Sequence, residues 1–194
     1  MLKLSLRGFK VGISFWLCVF AAVSLALAET GAFVSFIIAA LAHEAAHGIT
    51  AAACKAPVRE LTLALGKFEL DCGLEALSDR EKIAVFLSGP LVNIFLAALS
   101  LALGFARAFY ANALLAAINL LPSAHLDGGR IMLILLSKEL SCKTAARAVK
   151  LSSFVCGVAV SALGAFLIIN EQSNATALLF GIYMILGALR VDWE

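Results

Sequence analysis

From Val11 to Leu189 the chain is a succession of apolar runs, and nothing else in it limits the fold as much. A spanning helix needs about 20 mostly apolar residues. Val11–Ala28 and Ala32–Cys54 have that character, with Glu29, Thr30 and Gly31 as the turn between them. Lys82–Ala106, Tyr110–Ser137 and Leu151–Ile169 follow, and Ala175–Leu189 is a shorter sixth that spans only with help from its flanks. Backbone groups in hydrocarbon find no water, so runs of this length must satisfy their N–H and C=O groups within a helix. Composition agrees: 62% of the residues are hydrophobic and 14% charged, against about 25% charged in soluble domains. The expectation is an all-α polytopic membrane protein, one domain over residues 1–194, with about six transmembrane helices.

The basic residues orient that bundle. Lys3, Arg7 and Lys10 precede the first run, and Lys55, Arg59, Lys67, Arg80 and Lys82 follow the second. Lys138, Lys143, Arg147 and Lys150 follow the fourth, and Arg190 follows the sixth. This puts 13 of the 15 Lys and Arg residues on one side, with Arg107 opposite and Arg130 inside the fourth run. The positive-inside bias makes that side cytoplasmic, with both termini in. Basic residues this scattered form no patch for nucleic acid. The five cysteines lack paired spacing, so they read as small buried hydrophobes. Lys3 to Ala28 also resembles a signal peptide with a small-residue cleavage site, but its apolar run of 18 residues exceeds the usual 7 to 15 or so. A retained first span is the expectation. Asn174-Ala175-Thr176 matches a glycosylation triplet, a pattern too short to carry weight.

The one sizeable polar segment is 56–81. Within it LTLALGKFELDC alternates apolar and polar residues about Gly66-Lys67, which predicts a short β-hairpin at the cytoplasmic face. Such a hairpin is either a surface loop or an edge strand able to pair with an extended peptide.

Against this background LAHEAAHGIT, Leu41–Thr50, is anomalous. An acid at the centre of a spanning helix costs roughly 2.5 to 3.5 kcal/mol on insertion scales, and ionisable residues retained there mark function. His43, Glu44 and His47 form H-E-x-x-H. Positions i and i+4 share a helix face, so both imidazoles can reach one ion, with Glu44 beside them to accept a proton from water. Zinc suits such donors, and a catalytic site has three protein ligands plus water. Bound zinc lowers the pKa of its water from 15.7 toward about 7.

Two histidines therefore require a third ligand. The acidic residue inside another span is Asp127, in NLLPSAHLDGGR, Asn119–Arg130. Pro122 disfavours helix before it, and Gly128-Gly129 permit further departures, so the fourth run is expected to break there. Broken backbone at membrane depth implies a wet, protein-lined cavity. His43 lies 11 residues from Cys54 and Asp127 lies 10 from Ser137, so both sit roughly 15 Å below the cytoplasmic surface. His125 is a fourth ligand, a partner of a ligand, or a polar loop residue. Arg130 pairs with a carboxylate or with backbone carbonyls. SGPLVN, Ser88–Asn93, places Gly and Pro inside the third run and adds a buried amide. Asn93 and Asn119 either hold a substrate backbone and its oxyanion or bond neighbouring helices. Pro122, Gly128 and Gly66 join them as candidate substrate-binding positions.

HEAAH on the second run, GPLVN on the third and NLLPSAHLDGG on the fourth resemble the site-2 protease family of intramembrane zinc metalloproteases. The NLLP…LDGGR…LLSKEL run is most similar to the stage IV sporulation protease FB group. The resemblance implies one Zn2+ per chain held by His43, His47 and Asp127, with Glu44 as catalytic general base. It implies that the Leu61–Cys72 hairpin aligns substrate, and that the substrate is a membrane-tethered protein, a sigma-factor precursor in the sporulation group. The implied setting is a bacterial cell membrane, with the active site opening to the cytoplasm and regulatory membrane proteins as further partners. His125 stands where the family often has Pro. The expectation is a single protease domain without the family's peptide-binding PDZ insert or C-terminal nucleotide-sensing domain. Two other readings remain open at this point: an ion or metal transporter using intramembrane His and Asp, and a catalytically silent membrane regulator.

Overall fold

Leu2–Leu6 (β1) and Phe9–Ile13 (β2) read LKLSL and FKVGI. Their period of two suits a strand, because successive side chains leave on opposite faces. The two strands pair antiparallel, Leu4 opposite Val11. β2 runs parallel to Val58–Ala64 (β3), which pairs antiparallel with Lys67–Cys72 (β4), Leu61 opposite Leu70. The sheet order is β1-β2-β3-β4. The structure, a computed structural model, describes residues 2–6, 9–13, 30–56, 58–64, 67–72, 74–170 and 175–190. The expected first span is corrected at its start, since Val11–Ile13 belong to β2. The rest of that run, the alternative cleavage site, Gly66 and Asn174 lie outside the described residues.

Six helices follow among the described residues: Thr30–Ala53 (α1), Asp79–Ala102 (α2), Ala106–Asn119 (α3), Asp127–Leu136 (α4), Cys142–Ile169 (α5) and Thr176–Arg190 (α6). Among the described residues three helical stretches, Gly31–Ala53, Asp79–Ala102 and Cys142–Ile169, are long and apolar enough to cross a membrane, and Thr176–Leu189 is a shorter apolar helix. The protein is thus predominantly helical and built for a bilayer.

Local chemistry sets the helix ends. Ser78 caps α2 in a reciprocal box: the Glu81 N–H donates to Ser78 Oγ, and the Ser78 N–H donates to Glu81 Oε2 at 2.8 Å. That satisfies two of the donors a helix start leaves over. α1 and α2 stop the same way. At α1 the Ala56 N–H donates to Ala51 O and the Lys55 N–H to Ala52 O, both at 2.9 Å; at α2 the Phe105 N–H donates to Ser100 O and the Gly104 N–H to Leu101 O. This double bond needs a left-handed residue just past the helix. Gly104 supplies it at φ 76, and Lys55 does so at φ 63 despite carrying a side chain. The third apolar run therefore ends at Ala102, four residues before the expected Ala106.

The fourth run breaks between Asn119 and Asp127, at Pro122, as its sequence predicts. Gly128 and Gly129 do not take part in the break; they lie inside α4. Their reason is space. A Cβ on Gly128 would strike the Leu120 and Leu121 carbonyls, and one on Gly129 would strike the Ser123 carbonyl. Two hydroxyls from α5 hold this loop: Ser152 Oγ donates to Pro122 O at 2.6 Å, and the Ala124 N–H donates to Ser153 Oγ at 2.8 Å.

Burial is inverted relative to a soluble domain. The buried apolar residues are mostly alanine, while His43, His47, Asn93, Asn112, Ser123, Asp127 and Ser153 are buried polar groups. Large apolar side chains such as Ile49, Phe95, Leu151 and Phe166 point outward. Lipid accepts the outward residues, and the polar groups stay inside where they find partners. The chain divides into two compact units, Met1–Ala117 and Ile118–Glu194. In the first, Ala51, Ala56, Leu77 and Val85 form a small core at the foot of α1 and α2. In the second, α5 and α6 pack closely, Gly157, Gly164 and Gly181 bringing the two backbones together.

Candidate metal centre

α1 carries His43 and His47 one turn apart, and α2 supplies what surrounds them. His43 Nδ1 lies 2.6 Å from Asn93 Oδ1, and His47 Nδ1 lies 2.7 Å from the Val85 carbonyl oxygen. Both partners accept, so each imidazole carries its proton on Nδ1 and donates it there. The two Nε2 atoms, now lone-pair nitrogens, face one another at 3.1 Å. The rings stand nearly perpendicular, 87° apart, with centroids separated by 4.6 Å. Two acceptors this close repel unless a proton or a cation sits between them.

Zinc–nitrogen bonds of about 2.0–2.1 Å at tetrahedral angles put two ligating nitrogens roughly 3.3 Å apart. The observed separation fits that demand. His43, Glu44 and His47 each offer a ligand atom within 4.8 Å of the others, a set able to hold a metal ion. Both histidines are buried and Glu44 is half-buried. Gly89 bounds the space above the nitrogens: a Cβ there would stand 2.5 Å from His47 Nε2 and 2.7 Å from His43 Nε2. Pro90, next to it, has no N–H, so this turn of α2 is low both in bulk and in internal hydrogen bonds. Ser88 Oγ donates to Val85 O at 2.7 Å, sharing that carbonyl with His47.

The other candidate residues fall as follows. Asp127 opens α4 in the second unit and is 7% exposed. A carboxylate buried to that degree requires a cation or hydrogen-bond donors around it. Asn93 is fully buried, and its Nδ2 donates to Ala39 O at 3.1 Å and to Asn112 Oδ1 at 2.9 Å. Asn119 ends α3, and Pro122 lies in the pinned loop. His125 is exposed and packs on α6, where a Cβ on Gly187 would stand 2.7 Å from its ring. Gly89 as a boundary, the Val85 carbonyl and Asn112 belong to none of the sequence expectations. Asn112 had a signal, as an amide inside an apolar helix; a backbone carbonyl has none.

No family model matches the chain, and no curated protein matches it. Among solved structures it is similar to the Site-2 Protease from Methanocaldococcus jannaschii, at 17% identity over 100% of this chain and 97% of that one, with a TM-score of 0.63. At that identity the likeness is one of architecture, and it establishes that the chain has the fold of a site-2 protease.

Proposed function

We propose that the protein is an intramembrane zinc metalloprotease that hydrolyses a peptide bond of a membrane-tethered protein. One observation carries this: two imidazoles whose Nδ1 atoms lie 2.6 Å and 2.7 Å from acceptor oxygens bring their Nε2 atoms to 3.1 Å from one another, beside the Glu44 carboxylate. The fold shared with a site-2 protease supports the same reading.

His43, His47 and Asp127 are the proposed ligands of one ion, and two nitrogens plus a carboxylate are donors zinc accepts while keeping a position open. A zinc ion held there supplies Lewis acidity and lowers the pKa of a bound water. Glu44 takes the proton of the attacking water on its carboxylate and delivers it to the leaving amide nitrogen. The half-buried position of Glu44 suits both duties, since it must meet water and yet stay beside the histidines. Asn119, Pro122, Gly128 and Gly66 are the proposed contacts for the substrate backbone. The β3–β4 hairpin, on the cytoplasmic side with both termini, is proposed to align an extended substrate strand, because helical backbone hides its carbonyls. The NLLPSAHLDGGR and LLSKEL runs support a place near the stage IV sporulation protease FB group.

The test is cleavage of a tethered substrate by the full chain reconstituted in vesicles. Glu44→Gln should abolish cleavage while the bound metal stays at the wild-type level; undiminished turnover in that variant ends the proposal.

A further inference from the structure

His43 and His47 are held by partners of different kinds. The Val85 carbonyl can only accept, so it fixes the His47 proton on Nδ1 unaided. The partner of His43 is the amide of Asn93, which has an oxygen at one corner and an NH2 at the other. Turned over, that amide would point N–H groups at His43 Nδ1 and drive the ring proton to Nε2, removing the lone pair that faces His47. Something must hold the amide in its orientation. Two acceptors do: Ala39 O and Asn112 Oδ1 both take hydrogens from Asn93 Nδ2. Asn112 is itself an amide and just as reversible, and its Nδ2 donates to Ala108 O at 2.9 Å, a backbone acceptor of α3 that has no alternative. The order of protons is thereby set from Ala108 O to Asn112, to Asn93, to His43. All four side-chain positions, His43, His47, Asn93 and Asn112, are buried, where an orphaned amide hydrogen costs about 1–3 kcal/mol.

We infer that Asn112 is a positioning residue that acts through Asn93 to keep His43 as the Nδ1–H tautomer, with Nε2 directed at a metal ion. The inference rests on the metalloprotease reading for its purpose, but its measurement is metal binding and not cleavage. Partners that orient metal-binding imidazoles typically contribute about 10–100-fold in metal affinity. Asn93→Leu should therefore weaken zinc binding about 10–100-fold. Asn112→Leu should weaken it less, about 3–10-fold, because Ala39 O still holds one Asn93 hydrogen. Burial with no cation beside it favours the neutral form of an acid, so Asn112→Asp can donate its O–H to Ala108 O and offer its C=O to Asn93; it should bind within about twofold of wild type.

The experiment is competition for Zn2+ between a chromophoric chelator and the full chain in detergent, for wild type, the three single variants and the Asn93→Leu/Asn112→Leu double variant. If Asn112 acts through Asn93, the double variant binds no more weakly than Asn93→Leu alone. An unchanged affinity in Asn112→Leu, or additive losses in the double variant, overturns the inference. A second measurement needs no variant: long-range 1H–15N spectra of metal-free protein should show His43 protonated on Nδ1, and an Nε2–H signal there overturns it equally. Wild type that binds zinc but cleaves nothing sinks the protease reading alone. Wild type that binds and cleaves, with Asn112→Leu binding as tightly, sinks the positioning role alone.

Discussion

Gly89 and His47 approach each other only because position 89 bears no side chain: a Cβ there would stand 2.5 Å from His47 Nε2. The same atom would stand 2.7 Å from His43 Nε2, so it would fill the region that both nitrogens face. Gly89→Ala should leave the helices in place and exclude the ion. Elemental analysis of the purified variant should find at least about tenfold less zinc per chain than wild type, a loss in the range seen when an ion's surroundings are disturbed. A full complement of metal would show that the ion does not sit between these nitrogens.

Removing the metal should soften the whole chain. A ligand that binds only the folded state stabilises it by about 2.7 kcal/mol at a concentration 100 times its Kd. A strong chelator should therefore lower the thermal midpoint of wild type and of Glu44→Gln. It should leave His47→Ala, already without metal, where it was.

At the end of α1, Lys55 holds φ 63 in the position that Gly104 fills at the end of α2. A left-handed conformation costs a residue with a Cβ roughly 1–2 kcal/mol. Lys55→Gly should raise stability by about 1 kcal/mol, after allowing for the greater freedom of glycine in the unfolded chain. Gly104→Ala should lower stability by a similar amount. Thermal unfolding in one detergent checks both, and a loss of stability in Lys55→Gly would contradict the account.

Ser153 Oγ takes the Ala124 N–H and gives its own hydrogen to Val149 O at 2.7 Å. Ser153→Ala leaves the half-buried Ala124 donor without that partner, at a cost of about 1 kcal/mol. Limited proteolysis should then cut faster between Asn119 and Asp127 than in wild type. An unchanged rate would show that the loop does not depend on this hydroxyl.

Much of this was legible in the chain because hydrocarbon is an unforgiving solvent. His43, Glu44 and His47 stood out against an apolar run, and Pro122 marked the break in the fourth run by removing a donor. The glycine pair was legible in place but not in purpose: Gly128 and Gly129 make room for carbonyls of their own loop instead of unwinding the helix. The first strands are hidden behind Lys3 and Lys10, which read as a charged preface, although LKLSL and FKVGI also alternate with period two. Charge drew the eye and periodicity decided the structure. The network behind His43 was invisible because ARAFYANALLAAIN has no motif. Asn112 gains meaning only from Asn93, 19 positions away.

The two rings differ in how mutation can reach them. Because the atom that grips His47 is a main-chain oxygen, Val85 can be exchanged for another residue of similar bulk without touching that grip. The hold on His43 is written in codons, at Asn93 and again at Asn112. A single substitution at Asn93 or Asn112 can therefore loosen the hold on His43, whereas the main-chain hold on His47 depends on no one side chain.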